Sequence, residues 1–242
     1  MVSILKLAVN DLKNILRDHF LVYASIVLPI MIIVIARIIK HWIAPEISDI
    51  YPIVNNFPML FMLFAIMPPF VYGFITAFLI IDERDEHLLT VLRVMPISRN
   101  SYLIYRMLFM SIFSFIVLLL FPPLSGLLDN TQFSYVNYIP IAVLLTLFTP
   151  FSGLLVSSFA TNKVQAFAIF KISATVFLLP LFAFLISGNL RYIFGVIPNF
   201  WAFICLNDVI YKSSFDIIPL VIGFVYQIAL IAGLFYIFNK KY

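Results

Sequence analysis

Hydrophobic and polar positions alternate along this chain in long blocks. Six apolar stretches, at roughly 20 to 39, 57 to 81, 101 to 121, 139 to 160, 166 to 187 and 217 to 238, are separated by short polar segments. A helix of about 20 apolar residues crosses about 30 Å of hydrocarbon, so each stretch predicts a membrane span. The expected fold is an all-α membrane protein with six transmembrane helices in a single transmembrane domain, 1 to 242.

Three further segments break this rhythm. From Val2 to Arg17, Leu5, Ala8, Val9, Leu12 and Leu16 recur at helical spacing opposite Lys6, Asn10, Lys13, Asn14 and Arg17, which predicts an amphipathic helix lying along a membrane surface. At 83 to 95, four consecutive acidic and basic side chains, Glu83, Arg84, Asp85 and Glu86, open a segment whose Leu88, Leu89, Leu92 and Met95 form an apolar stripe. Arg93 near its end and Pro96 just beyond predict a short helix that stops there. Such a stripe rests on lipid or docks in a partner's groove, and docking is the preferred reading. Finally, 188 to 216 is too polar to cross and too apolar for a free loop. Arg191, Tyr192, Phe194, Pro198, Phe200, Trp201 and Phe203 predict short helices or a re-entrant hairpin at the outer interface.

Composition agrees: 64% of the residues are hydrophobic, 11% are charged, and the mean hydropathy is +1.11, more apolar surface than a soluble domain could bury. The net charge of +4 forms no basic run longer than Lys240-Lys241, so it is read as topology and not as a nucleic-acid surface. With the N-terminus inside, Lys6, Lys13, Arg17, Arg84, Arg93, Arg99, Arg106, Lys163, Lys240 and Lys241 face the cytoplasm. Arg37, Lys40, Arg191 and Lys212 then lie outside, a positive-inside bias that places both termini in the cytoplasm. No cleavable signal peptide or separate soluble domain is expected. The single Cys205 excludes an internal disulfide.

Catalytic signatures are missing. No Gly-Lys dipeptide exists for a phosphate loop, the three histidines are His19, His41 and His87, and no nucleophile-elbow motif occurs. The chain is therefore expected to be a non-enzyme that binds no metal or cofactor itself. Lys171 is the one basic residue well inside a span. It either snorkels to the inner surface or faces a substrate pathway. Pro29, Pro150 and Pro180 sit within spans and predict kinks.

The run Phe78 to Glu86, continuing through Leu88, Leu92, Arg93, Pro96, Ser98, Tyr102 and Arg106, resembles the segment after the second span of ABC-2 type permeases, the membrane subunits of one class of ABC exporters. Six spans with an amphipathic start extend the likeness over the whole chain, while His87-Leu88 departs from the family pattern. The resemblance implies a half-transporter: a second permease copy, identical or similar, and a separate ABC ATP-binding subunit carrying ATP and Mg. It makes 83 to 95 the coupling helix that docks the ATPase, through Glu83, Arg84, Asp85, Glu86, Leu88, Leu89, Leu92 and Arg93, and 2 to 17 the connecting helix.

It further implies a pathway along spans two and five, where Phe74, Phe78, Phe170, Phe177 and Lys171 are the candidate residues. The cargo expected is hydrophobic or amphipathic: a drug, a lipid or a peptide of the phenol-soluble-modulin kind, exported across a bacterial plasma membrane. Two rivals remain. An ion-coupled secondary transporter or channel needs acids buried in the spans, and a membrane-embedded enzyme needs a converging nucleophile and base.

Overall fold

A computed structural model of the chain describes residues 13, 16–86, 98–129, 131, 133–186 and 188–241. Helices account for nearly all of them, and no strand occurs among the described residues. Six helices are long and apolar enough to cross a membrane: Tyr23–Ile47, Ile53–Asp85, Arg99–Ser125, Tyr135–Phe159, Lys163–Leu185 and Ile217–Lys241. They are called the first to sixth spans below, and the end expected to face the cytoplasm is the inner end. The N-terminal helix expected over 2 to 17 lies almost wholly outside the described residues.

Span starts follow the sequence. Ser98, Ser134 and Asn162 accept the backbone N–H groups of Ser101, Asn137 and Gln165, satisfying donors that a helix start leaves unpaired. Several ends are instead held by basic side chains from neighbouring helices. At the outer end of the third span, Gly126 takes a left-handed conformation (φ 67°). There Arg37 Nε donates to the Leu124 carbonyl at 2.6 Å and Lys40 Nζ to the Gly126 carbonyl at 2.6 Å. Lys40 also pairs with Asp129. These bonds anchor the first span well past residue 39, and the helix runs on to Ile47, beyond the expected stretch of 20 to 39.

Prolines mark departures from regular helix in three spans, and carbonyls beside two of them accept side-chain donors. A wider π-helical turn, Tyr23–Val27, precedes Pro29, and the Ser25 carbonyl that Pro29 cannot bond accepts the Tyr72 hydroxyl at 2.6 Å. The fourth span breaks at Leu147, three residues before Pro150. At Leu179 the fifth span tightens into a 3-10 segment containing Pro180, and Asn199 Nδ2 donates to the nearby Phe177 carbonyl at 2.7 Å.

The second span is the axis of the bundle: 83% of its most apolar stretch is buried, against 17% for the first span and 22% for the sixth. It touches the fourth span most closely of all. A Cβ at Gly73 would lie 1.8 Å from Ser152 Oγ and 2.6 Å from the Thr149 carbonyl oxygen, and one at Gly153 would lie 3.0 Å from the Gly73 carbonyl oxygen. Paired glycines thus let two backbones meet, the device that replaces hydrophobic drive between helices in lipid.

Between spans five and six, the 3-10 helix Asn189–Val196 leads into the helix Asn199–Lys212. Its buried face, with Phe200, Phe203, Leu206 and Val209, packs among the spans. Gln227 of the sixth span donates to the Pro198 carbonyl at 3.4 Å. Gln227 lies ten residues from Ile217, about 15 Å of helix rise, so the chain before Asn199 reaches well along the sixth span. It returns to the outer end at Ser213, whose carbonyl accepts Asn137 Nδ2 at 2.5 Å. The segment thus forms two short helices packed against the spans.

Candidate functional site

The candidate residues gather at two places. The first is an aromatic cleft between spans two and five. Phe170 stacks on Phe70 (centroids 4.4 Å, planes 12° apart) and on Phe74 (4.1 Å, 29°). Phe167 meets Phe74 and Phe78 edge-on at 5.1 and 5.0 Å. Toward the outer end Phe177 packs edge-on against Phe148 at 4.8 Å and Phe70 at 5.7 Å. Such offset and edge-on pairs match the ring quadrupoles.

All four phenylalanines expected on the pathway, Phe74, Phe78, Phe170 and Phe177, therefore meet in one cluster. Beside it opens an apolar cavity of about 230 Å³ between spans one, two and five. Leu28, Ile66, Met67, Phe70, Phe170 and Phe177 form much of its wall. Lys171 does not enter this cluster: it lies on an exposed face of the fifth span.

The second place is the inner end of the second span. That helix continues without a break to Asp85, so Glu83, Arg84 and Asp85 form its last turn and do not begin a new helix. Carboxylates at a helix C-terminus sit at the negative end of its dipole and need cationic partners. They have them. Asp82 pairs with Lys163 of the fifth span at 2.6 Å. Glu83 turns inward and pairs with Arg106 of the third span, both nearly buried, at 8% and 6% exposure.

Arg84 donates to the Ala160 and Thr161 carbonyls beyond the fourth span, at 3.1 and 2.7 Å. Lys241 Nζ adds a bond to the Ser158 carbonyl at 2.9 Å, and Arg99 ties to Asn239 at 2.8 Å. Asp85 and Glu86 are exposed. Leu88, Leu89, Leu92 and Arg93 lie outside the described residues.

Sequence reasoning missed Arg106 as the partner of Glu83, although the two stand on helices joined by one short segment, and it missed Phe70 and Phe167. Helical spacing carried that signal: Phe70, Phe74 and Phe78 recur every four residues, as do Phe167 with Lys171 and Phe170 with Ala174.

Five apolar helices around the buried second span define a multi-pass helical membrane protein with an aromatic cleft and an apolar cavity. The chain belongs to the family of fluoroquinolones export permease protein Rv2686c-like proteins, whose model matches residues 11–235. It is similar to two Mycobacterium tuberculosis proteins, fluoroquinolones export permease protein Rv2686c of strain ATCC 25618 / H37Rv and its counterpart MT2760 of strain CDC 1551 / Oshkosh. Each is 26% identical over 198 residues, covering 80% of this chain and 77% of the relative. No solved structure matches the chain. It is thus a membrane transport permease of an exporter family.

Proposed function

We propose that the chain is an ABC-2 type permease: it pairs with a second permease copy and with a separate ATP-binding subunit that hydrolyses ATP with Mg, and it exports hydrophobic or amphipathic compounds outward across a bacterial plasma membrane with both termini cytoplasmic. The observation that carries the cargo class is the cleft of stacked phenylalanines opening on a cavity without polar lining, which suits a flat lipophilic body. The relatives' names speak of fluoroquinolones, and a planar aromatic drug is the cargo class favoured here over a lipid or a peptide.

Docking of the ATPase is assigned to the segment that starts at the exposed Asp85 and Glu86 and continues through Leu88, Leu89, Leu92 and Arg93. Burying a leucine is worth about 1.5 to 3 kcal/mol, whereas exposed ion pairs add about 0 to 1 kcal/mol, so the leucines hold and the charges orient. Mechanically, closure of the ATPase pair would push this segment, whose first residue, Asp85, ends the second span.

Affinity purification of the detergent-solubilised complex tests the reading. A co-purifying ATP-binding subunit is expected, and Leu89→Asp with Leu92→Asp should detach it or uncouple hydrolysis from export. Export that proceeds without any ATPase and collapses with the proton gradient would replace this reading by an ion-coupled transporter.

A further inference from the structure

A cation stands at the head of an apolar edge on the outer side of the bundle. A 3-10 helix has about three residues per turn, so side chains at i, i+3 and i+6 stack directly over one another. In the 3-10 helix Asn189–Val196 those positions are Leu190, Ile193 and Val196, and they are 74%, 72% and 75% exposed. Other positions turn toward the bundle: Phe194 packs with Ala183, Phe200 and Ile204, and the Gly195 carbonyl accepts Trp201 Nε1 at 3.0 Å.

The helix begins four residues beyond Leu185, where the fifth span ends, and finishes where the Val196 carbonyl accepts the Tyr226 hydroxyl at 2.6 Å, nine residues into the sixth span. The exposed edge therefore runs from the outer end of the fifth span to a point alongside the sixth. From Leu190 to Val196 it rises about 12 Å, close to the roughly 15 Å of hydrocarbon in one leaflet. The 3-10 end of the fifth span, Leu179–Leu185, packs against this helix and exposes Leu179, Phe182 and Leu185 at the same spacing.

Arg191 follows Leu190 at the outer end of the edge. Three other basic residues expected on that side are already held: Arg37 by the Leu124 carbonyl at 2.6 Å, Lys40 by Asp129, and Lys212 by Asp208 at 2.8 Å. Arg191 has no carboxylate partner among the described residues. Its guanidinium lies over the Tyr192 ring, 5.1 Å from the centroid, and donates to the Tyr192 hydroxyl at 3.2 Å. That ring is braced edge-on by Phe200 at 6.0 Å. Tyr192 keeps its own O–H to donate, and the guanidinium keeps most of its N–H groups.

We propose that this edge docks an anionic phospholipid of the leaflet at the outer end, with an acyl chain along Leu190, Ile193 and Val196 and the phosphate held by Arg191 and the Tyr192 hydroxyl. Charge decides the headgroup. A fork of parallel N–H donors fits phosphate oxygens, and a headgroup such as phosphatidylglycerol brings no ammonium of its own to compete for them or to repel the guanidinium. The ring beneath the guanidinium restrains it before the lipid arrives, which lowers the cost of binding. The site shares no residue with the wall of the apolar cavity, and it is independent of what the chain exports.

Two tryptophans, Trp42 and Trp201, offer the readout. Trp42→Phe leaves Trp201, whose indole is bonded to the Gly195 carbonyl next to Val196, and its quenching by lipids brominated on the acyl chain reports which lipid sits there. In bilayers mixing phosphatidylcholine and phosphatidylglycerol, with bromine on one lipid at a time, phosphatidylglycerol should be favoured about fivefold, or about 1 kcal/mol. Arg191→Gln should bring the two lipids to parity, Tyr192→Phe should leave part of the preference, and Lys212→Gln should leave all of it.

Parity in the parent, or a preference that survives Arg191→Gln, overturns the role of the arginine. An equal loss in Lys212→Gln reveals a diffuse field of outer charges and overturns the site. Soluble glycerol phosphate in excess should not relieve the preference; if it does, the guanidinium holds a phosphate without a chain, and the apolar edge is no part of the site. A disulfide between two copies carrying Ile193→Cys in a Cys205→Ala background would show that protein covers the edge in place of lipid, which also overturns the proposal.

Discussion

Replacing Glu83 by alanine removes the carboxylate that faces Arg106 where both side chains are about nine-tenths buried, at 10% and 8% exposure. Desolvation of the guanidinium is then uncompensated, and breaking one side of a buried pair costs about 3 to 5 kcal/mol. For a chain of this size each kcal/mol moves the melting temperature by about 2 to 4 °C, so the loss should be about 6 to 20 °C. The double variant Glu83→Leu with Arg106→Met removes both charges and keeps the volume apolar. It should recover most of that loss, because an apolar pair of similar size is often neutral relative to a buried ion pair.

Thermal unfolding of the four proteins in one detergent, followed by tryptophan fluorescence, gives the coupling between the two positions directly. A single variant within about 1 kcal/mol of the parent, or a double variant no better than the single, would refute the buried-pair argument. Because Glu83 is committed to Arg106, its replacement should act through folding and leave any ATPase contact made by Asp85 and Glu86 in place.

Other outcomes follow from the packing. Gly73→Ala should cost about 1 to 3 kcal/mol and lower folded yield, since the new methyl group meets Ser152 and the Thr149 carbonyl; unchanged thermal stability would contradict the close crossing. Burial pushes the Cys205 thiol up to about 12, with Asp208 and Asp216 adding to the rise. The reactive thiolate is therefore scarce below that pH, and maleimide should label native Cys205 slowly at pH 7 to 8 and faster only after denaturation. Cysteine placed at Asp129 in a Cys205→Ala background should react with an impermeant reagent added outside intact cells, and one at Lys163 should not; the reverse would invert the expected topology.

Much of this architecture was legible in the residues. Long apolar blocks gave the six spans because lipid leaves helices no alternative for their backbone groups. The likeness to ABC-2 type permeases pointed to Phe74, Phe78, Phe170 and Phe177, and the prolines marked where the helices depart from regular geometry. What the sequence hid was orientation. The run Asp82 to Glu86 reads as a helix start by charge alone, yet Lys163, Arg106 and the carbonyls at Ala160 and Thr161 supply enough counter-charge and acceptors for it to end one. Those partners are 23 to 81 residues away and leave no local trace. Lys171 is similar: its depth could be counted along the chain, but its exposure depends on how the fifth span leans on the second.

Three successive residues of one helical turn, Asp82, Glu83 and Arg84, reach the fifth span, the third span and the turn just after the fourth span respectively. Adjacent positions on a helix point about 100° apart, so the three grips surround the second span like the jaws of a chuck. Twisting that helix by a single residue would open all three at once, whereas tilting or sliding it together with its neighbours opens none. The inner end of the second span is thus barred from rotating alone, and any displacement of it carries spans two to five as one block. The sixth span's inner end is tied to the same block, by Lys241 on the Ser158 carbonyl and by Arg99 on Asn239.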